Sequence, residues 1–138
     1  MSDNLVKQLM RHEGKKLKPY RCTADKLTIG YGRNLDDVGI SDAEAMFMLR
    51  NDISQARVDL LQNHPWIDQL DYPRQDVLIN MVFNLGINRF NGFKNALAAA
   101  KVGDFDLCAK EMLDSRWANQ VGERANELAR QMVRGEYA

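Results

Sequence analysis

Residues 13–32 run Glu-Gly-Lys-Lys-Leu-Lys-Pro-Tyr-Arg-Cys-Thr-Ala-Asp-Lys-Leu-Thr-Ile-Gly-Tyr-Gly. Pro19 excludes a helix interior here, because it lacks the amide donor and clashes with the preceding turn. Tyr20 to Thr23 can extend as a short strand, Ala24-Asp25-Lys26 supplies a turn, and Leu27 to Tyr31 alternates as a strand does. The stretch therefore predicts a small β-hairpin over 19–32. It also carries a carboxylate, a thiol and a hydroxyl: Glu13, Cys22 and Thr28.

Upstream, Leu5, Val6, Leu9 and Met10 form an apolar stripe that predicts a helix over residues 3–13, capped by Ser2 or Asp3 and ended by Gly14. Glu13 follows Leu9 by four residues and continues that stripe. A carboxylate there is expected to be partly desolvated, which favours the protonated form a general acid needs. Helix phase alone does not separate this from an acid exposed at a helix end. On the second strand, Leu27, Ile29 and Tyr31 share one face, while Thr28, Gly30 and Gly32 make an open one where water or a ligand can approach the backbone. Cys22 falls on the partner strand. Gly30-Tyr31-Gly32 is not a dinucleotide fingerprint, since Leu35 stands where the third glycine belongs.

Downstream the pattern turns helical. Ser41 and Glu44 form a capping box that opens a helix running to about Leu61, roughly 30 Å long at 1.5 Å per residue. A short helix follows His64-Pro65. Pro73 then starts another, whose run from Val77 to Phe83 is apolar almost all round and so belongs in a core. Gly86 stops it, and further helices are expected at about 93–102, 104–114, 116–120 and 122–134. The fold class is α+β, mainly α-helical, with 1–138 forming a single domain. A small lobe covers about 14–58, a helical lobe covers about 62–138, helix 3–13 packs at the junction and a cleft lies between the lobes.

The bulk numbers agree with such a domain. The chain has 138 residues, 45% hydrophobic and 28% charged, enough apolar material for a core without metals or disulfides. Lys plus Arg equals Asp plus Glu at 19 each, so no polyanionic partner such as nucleic acid is indicated. Basic residues gather in 1–21 and acidic ones in 36–59, a solvated mixed surface. Cys108, among Phe105, Leu107 and Met112, reads as a small buried hydrophobe. Neither metal-ligand spacing nor a cofactor motif is present. The absence of a secretory or membrane-spanning pattern points to synthesis in a cytosol. Three other readings compete: a cysteine hydrolase pairing Cys22 with His12 or His64, a non-catalytic glycan-binding module, and membrane disruption by residues 122–134.

Three stretches together carry a family resemblance. The first comprises Glu13-Gly14, Leu17-Lys18, Tyr20, Cys22-Thr23 and Thr28 to Gly32. The second is Leu78 to Gly86 with Gly92-Phe93 and Asn95. The third is Ser115-Arg116-Trp117, Asn119-Gln120, Arg124-Ala125 and Gly135. The chain resembles the T-even phage lysozyme family, in which Glu, then Asp or Cys, then Thr stand at these spacings. The resemblance implies a two-lobed lysozyme-like fold that hydrolyses the β-1,4 bond between N-acetylmuramic acid and N-acetylglucosamine in bacterial peptidoglycan, with no cofactor. It implies that Glu13 protonates the leaving oxygen, that Thr28 holds the attacking water and that Arg124 pairs with the catalytic glutamate. Phe83, Gly30 and Asn80 would contact substrate. Cys22 stands where most members have Asp, and serves either as a nucleophile or as a base for water. Ala96 and Glu111 fall on sugar-contact positions without the family side chains. Arg33 replaces a histidine. The resemblance further implies a monomer made in the host cytoplasm, released to the periplasm and wall through a holin-type pore.

Overall fold

The computed structural model describes residues 2–137. It divides into two compact units, with the division between Met48 and Leu49.

The first unit opens with α1 (Asp3–Glu13). The Ser2 hydroxyl accepts from the Leu5 amide at 3.1 Å, and the amide of Gly14 closes the last turn on Met10. Three antiparallel strands follow in the order β1-β2-β3: β1 (Lys16–Arg21), β2 (Leu27–Gly30) and β3 (Arg33–Asn34). Tyr20 pairs with Thr28, Arg21 with Leu27 and Thr28 with Asn34.

Three expectations change here. The first strand begins at Lys16 and ends at Arg21, rather than covering Tyr20 to Thr23. Pro19 is tolerated because β1 is an edge strand, and a register irregularity lies between Lys16 and Tyr20. Cys22 consequently lies one residue past the strand, in the loop. There its amide donates to the Lys26 carbonyl at 3.0 Å and its own carbonyl accepts from the Asp25 amide at 2.8 Å. The hairpin also gains a third strand. Gly32 sits at φ +77°, which lets the chain reverse so that Arg33 and Asn34 return along β2.

Helix α2 (Asp42–Asn63) begins with the expected capping box: the Ser41 amide donates to Glu44 at 2.9 Å, and the Glu44 amide to the Ser41 hydroxyl at 3.1 Å. The Arg33 guanidinium grips the Glu44 carboxylate with two bonds of 2.8 and 2.7 Å, tying β3 to the first turn of α2. That bond, with the capping box behind it, holds the Glu44 carboxyl down to about 2.

α2 carries the chain into the second unit. A 3-10 helix (Pro65–Gln69) precedes α3 (Tyr72–Leu85), α4 (Ile87–Phe90), α5 (Lys94–Lys101), α6 (Phe105–Leu113), α7 (Arg116–Val121) and α8 (Glu123–Arg134). Every buried apolar side chain of the described residues lies between Ala56 and Met132. As expected, α3 supplies Val77, Leu78, Ile79, Met81 and Val82 to this core, and Cys108 is fully buried. The single-turn α4 was not foreseen; it follows the Gly86 stop directly and delivers Phe90 into the core. Arg74 closes the C-terminal end of α8, donating to the carbonyls of Met132 at 2.7 Å and Val133 at 2.9 Å while stacking 3.7 Å over Phe105. The molecule is mainly α-helical with one small sheet, an α+β fold of lysozyme type.

Candidate active site

In the first unit the three predicted catalytic residues gather about β2. Thr28 is its second residue, Cys22 stands at the mouth of the loop that leads into it, and Glu13 reaches the turn that leaves it. A Cβ added to Gly32 would stand 2.6 Å from Glu13 Oε2. The carboxylate thus lies against the backbone at one end of β2, with the thiol and hydroxyl at the other.

Two expectations about these side chains are corrected. Glu13 is exposed, not partly desolvated, because α1 carries no buried residue and its apolar stripe does not enclose its last turn. Thr28 does not stand on an open face: it is 3% exposed, the most enclosed side chain of this unit, while Leu27 and Ile29 are half-buried and Tyr31 is exposed. Alternation places Thr28 opposite Leu27 and Ile29, but a hydroxyl can be enclosed once its proton is satisfied. Here it donates to the Lys26 carbonyl at 2.8 Å.

Cys22 is half-exposed and free. Backbone amides of Lys26 and then Ala24 point at the thiol and hold it below its ordinary value against a smaller opposing effect of burial. His64 belongs to the second unit, where its Nε2 pairs with Asn91 at 2.7 Å and its ring stands edge-on to Trp66 and Phe90. Cations near the loop are engaged elsewhere: Lys26 with Asp37 at 3.2 Å, Arg21 with Asp36 at 3.7 Å.

The second unit brings the other two motif stretches together. Arg124 donates through two nitrogens to Asn80 Oδ1, at 3.0 and 2.7 Å, and with Phe83 they line a cavity of about 320 Å³. Trp117 Nε1 donates to Asn84 at 2.9 Å and Phe93 packs edge-on against the indole. Ala96 and Glu111 line a separate cavity of about 550 Å³ beside Trp117. The resemblance puts both at sugar-contact positions, though neither carries the family side chain. Gly30 lines a third hollow, within the first unit. Among the described residues no three His, Cys, Asp or Glu side chains cluster as metal ligands would, and no helix is long and apolar enough to cross a membrane.

The sequence profile of the phage lysozyme family matches residues 10–134, a span that takes in Glu13, Cys22, Thr28, Asn80, Phe83 and Arg124. The chain belongs to the phage lysozyme family. Within that family it is 33% identical to the endolysin of Acyrthosiphon pisum secondary endosymbiont phage 1, over 84% of this chain and 80% of that protein. It is 27% identical to the Dictyostelium discoideum protein named "Probable T4-type lysozyme 1", over 89% of this chain and 90% of the other. It is also 24% identical to the pre-baseplate central spike protein Gp5 of Enterobacteria phage T4, where 96% of this chain matches 28% of the spike protein. Its function is accordingly of the lysozyme class.

Proposed function

We propose that this lysozyme-family protein hydrolyses the β-1,4 bond between N-acetylmuramic acid and N-acetylglucosamine, and that it lyses the bacterial host. The carrying observation is the gathering of a carboxylate, a low-lying thiol and a satisfied hydroxyl about one short strand of a phage lysozyme chain. Glu13 gives its proton to the departing glycosidic oxygen as positive charge develops at the anomeric carbon. The free protein leaves this carboxyl in water, so the saccharide itself supplies the desolvation when it covers the site. Thr28 spends its proton on Lys26, which leaves its oxygen lone pairs to accept from the attacking water.

Cys22 completes the reaction in one of two ways. As a thiolate it attacks the anomeric carbon, and water later releases the sugar with retained configuration. As a base it takes a proton from water, and the configuration inverts. The lowered thiol serves either role, since both need the thiolate, whose fraction at neutral pH it raises. Gly30, Asn80 and Phe83 are assigned to substrate contact and Arg124 to support of the glutamate. The protein is made in the host cytoplasm as a monomer and reaches the wall through a holin-type pore.

Turbidity clearing of cell walls tests the reading. Glu13→Gln should abolish clearing, and Cys22→Ser should lower it strongly while Cys22→Asp largely keeps it. Full clearing by Glu13→Gln sinks the assignment, as does a wild-type protein that sediments with walls without cutting them. NMR of the first product separates the two roles of Cys22.

A further inference from the structure

We infer that Gly32 is a positioning residue that seats the Glu13 carboxylate. The inference rests on Glu13 being the general acid. A Cβ at position 32 would lie 2.6 Å from Glu13 Oε2, 3.0 Å from Cδ and 3.3 Å from Cγ. Ordinary van der Waals contact begins at 3.4 Å, so the carboxylate oxygen would retreat by about 0.8 Å. Rotation of the carboxylate alone does not relieve this, because the Cγ methylene is crowded as well. Gly32 therefore serves two ends at once. Its φ of +77° turns β2 into β3, and its missing side chain leaves the space the carboxylate occupies. The end of α1 and the β2–β3 turn meet at that space.

The two ends are separable by experiment, because Gly39 has a similar φ of +66° with nothing within 4 Å of its Cβ position. Gly39→Ala carries backbone strain without touching Glu13, and should lose stability while keeping kcat. Gly32→Ala should lose comparable stability yet also lower kcat roughly ten- to a hundred-fold, the cost of misplacing a reacting group by near an ångström. KM should stay within about two-fold, and the limb of the pH–rate profile belonging to the acid should move. Against a Glu13→Gln background, Gly32→Ala should have no further effect on residual activity, since a change that acts through Glu13 has nothing left to act on. If Gly32→Ala does not fold, Gly32→Asn tolerates positive φ while still carrying a Cβ, and the same outcomes apply. Equal kcat and equal pH profiles for the position-32 and Gly39→Ala variants overturn the inference. Full clearing by Glu13→Gln overturns the reading beneath it instead.

Discussion

The two units are held together by different physics. The second has a contiguous apolar core, with Leu60, Ile67, Phe90, Met112 and Met132 all at 0% exposure. The first has no buried apolar side chain among its described residues; its one buried side chain is Thr28. It is fixed instead by a short strand ladder, a capping box, the Arg33–Glu44 grip and a closed five-residue loop. A core tolerates no loss of volume but is indifferent to pH. A polar scaffold is the reverse, and the residues proposed to do the chemistry stand on it. Unequal packing of this kind goes with unequal local stability.

The sharpest way to break that contrast is to truncate matched side chains. Phe90→Ala should cost on the order of 3–5 kcal/mol by denaturant unfolding, whereas Phe47→Ala, at a position 68% exposed, should stay within about 0.5 kcal/mol. Similar costs would mean that the first unit hides a core of its own. Next in size is the contrast between the two thiols. Burial, and then Asp104, push Cys108 up to about 11 while Cys22 lies below its ordinary value. Iodoacetamide should therefore alkylate Cys22 more than about a hundred-fold faster than Cys108 at neutral pH, as peptide mass mapping would read.

Arg74→Met comes third: it removes two bonds to the α8 carbonyls and should cost about 1–2 kcal/mol, all of it in the second unit. Hydrogen exchange would show protection lost in α8 and kept in β2. The smallest effect is a slope. The Glu44 carboxyl is held down to about 2 in the folded protein against an ordinary value of 4.5, so the grip is fully present above about pH 5 and fades as pH falls toward 2. Glu44→Gln should flatten the acid limb of the stability curve, and an unchanged limb would show that the grip contributes nothing.

The helices were legible because periodicity and caps are local signals: the Ser41–Glu44 box and the apolar run of α3 appear where the sequence places them. β3 was not, because two residues are too few to alternate and only the backbone of Gly32 makes them a strand. The proposed site was misread in its environments. Spacing and resemblance nominate Glu13, Cys22 and Thr28, but strand alternation assigned Thr28 the wrong exposure, since it tracks hydrophobicity and not whether a hydroxyl has a partner. Helix phase likewise placed Glu13 on an apolar face without saying what, if anything, covers that face. The contact between Glu13 and Gly32 joins residues 19 positions apart through a turn, and no local pattern carries it.

The enclosure of Thr28 has a consequence for anyone wishing to toughen this protein. In most small folds the best-packed position is free to be refilled with something greasier, and catalytic groups are left alone at the rim. Here the best-packed position of the first unit is itself a proposed catalytic group, so the usual exchange of a polar interior for an oily one would trade away turnover. Sturdier versions must come from the periphery, through stiffer loops and additional ion pairs, with the strand left as it is.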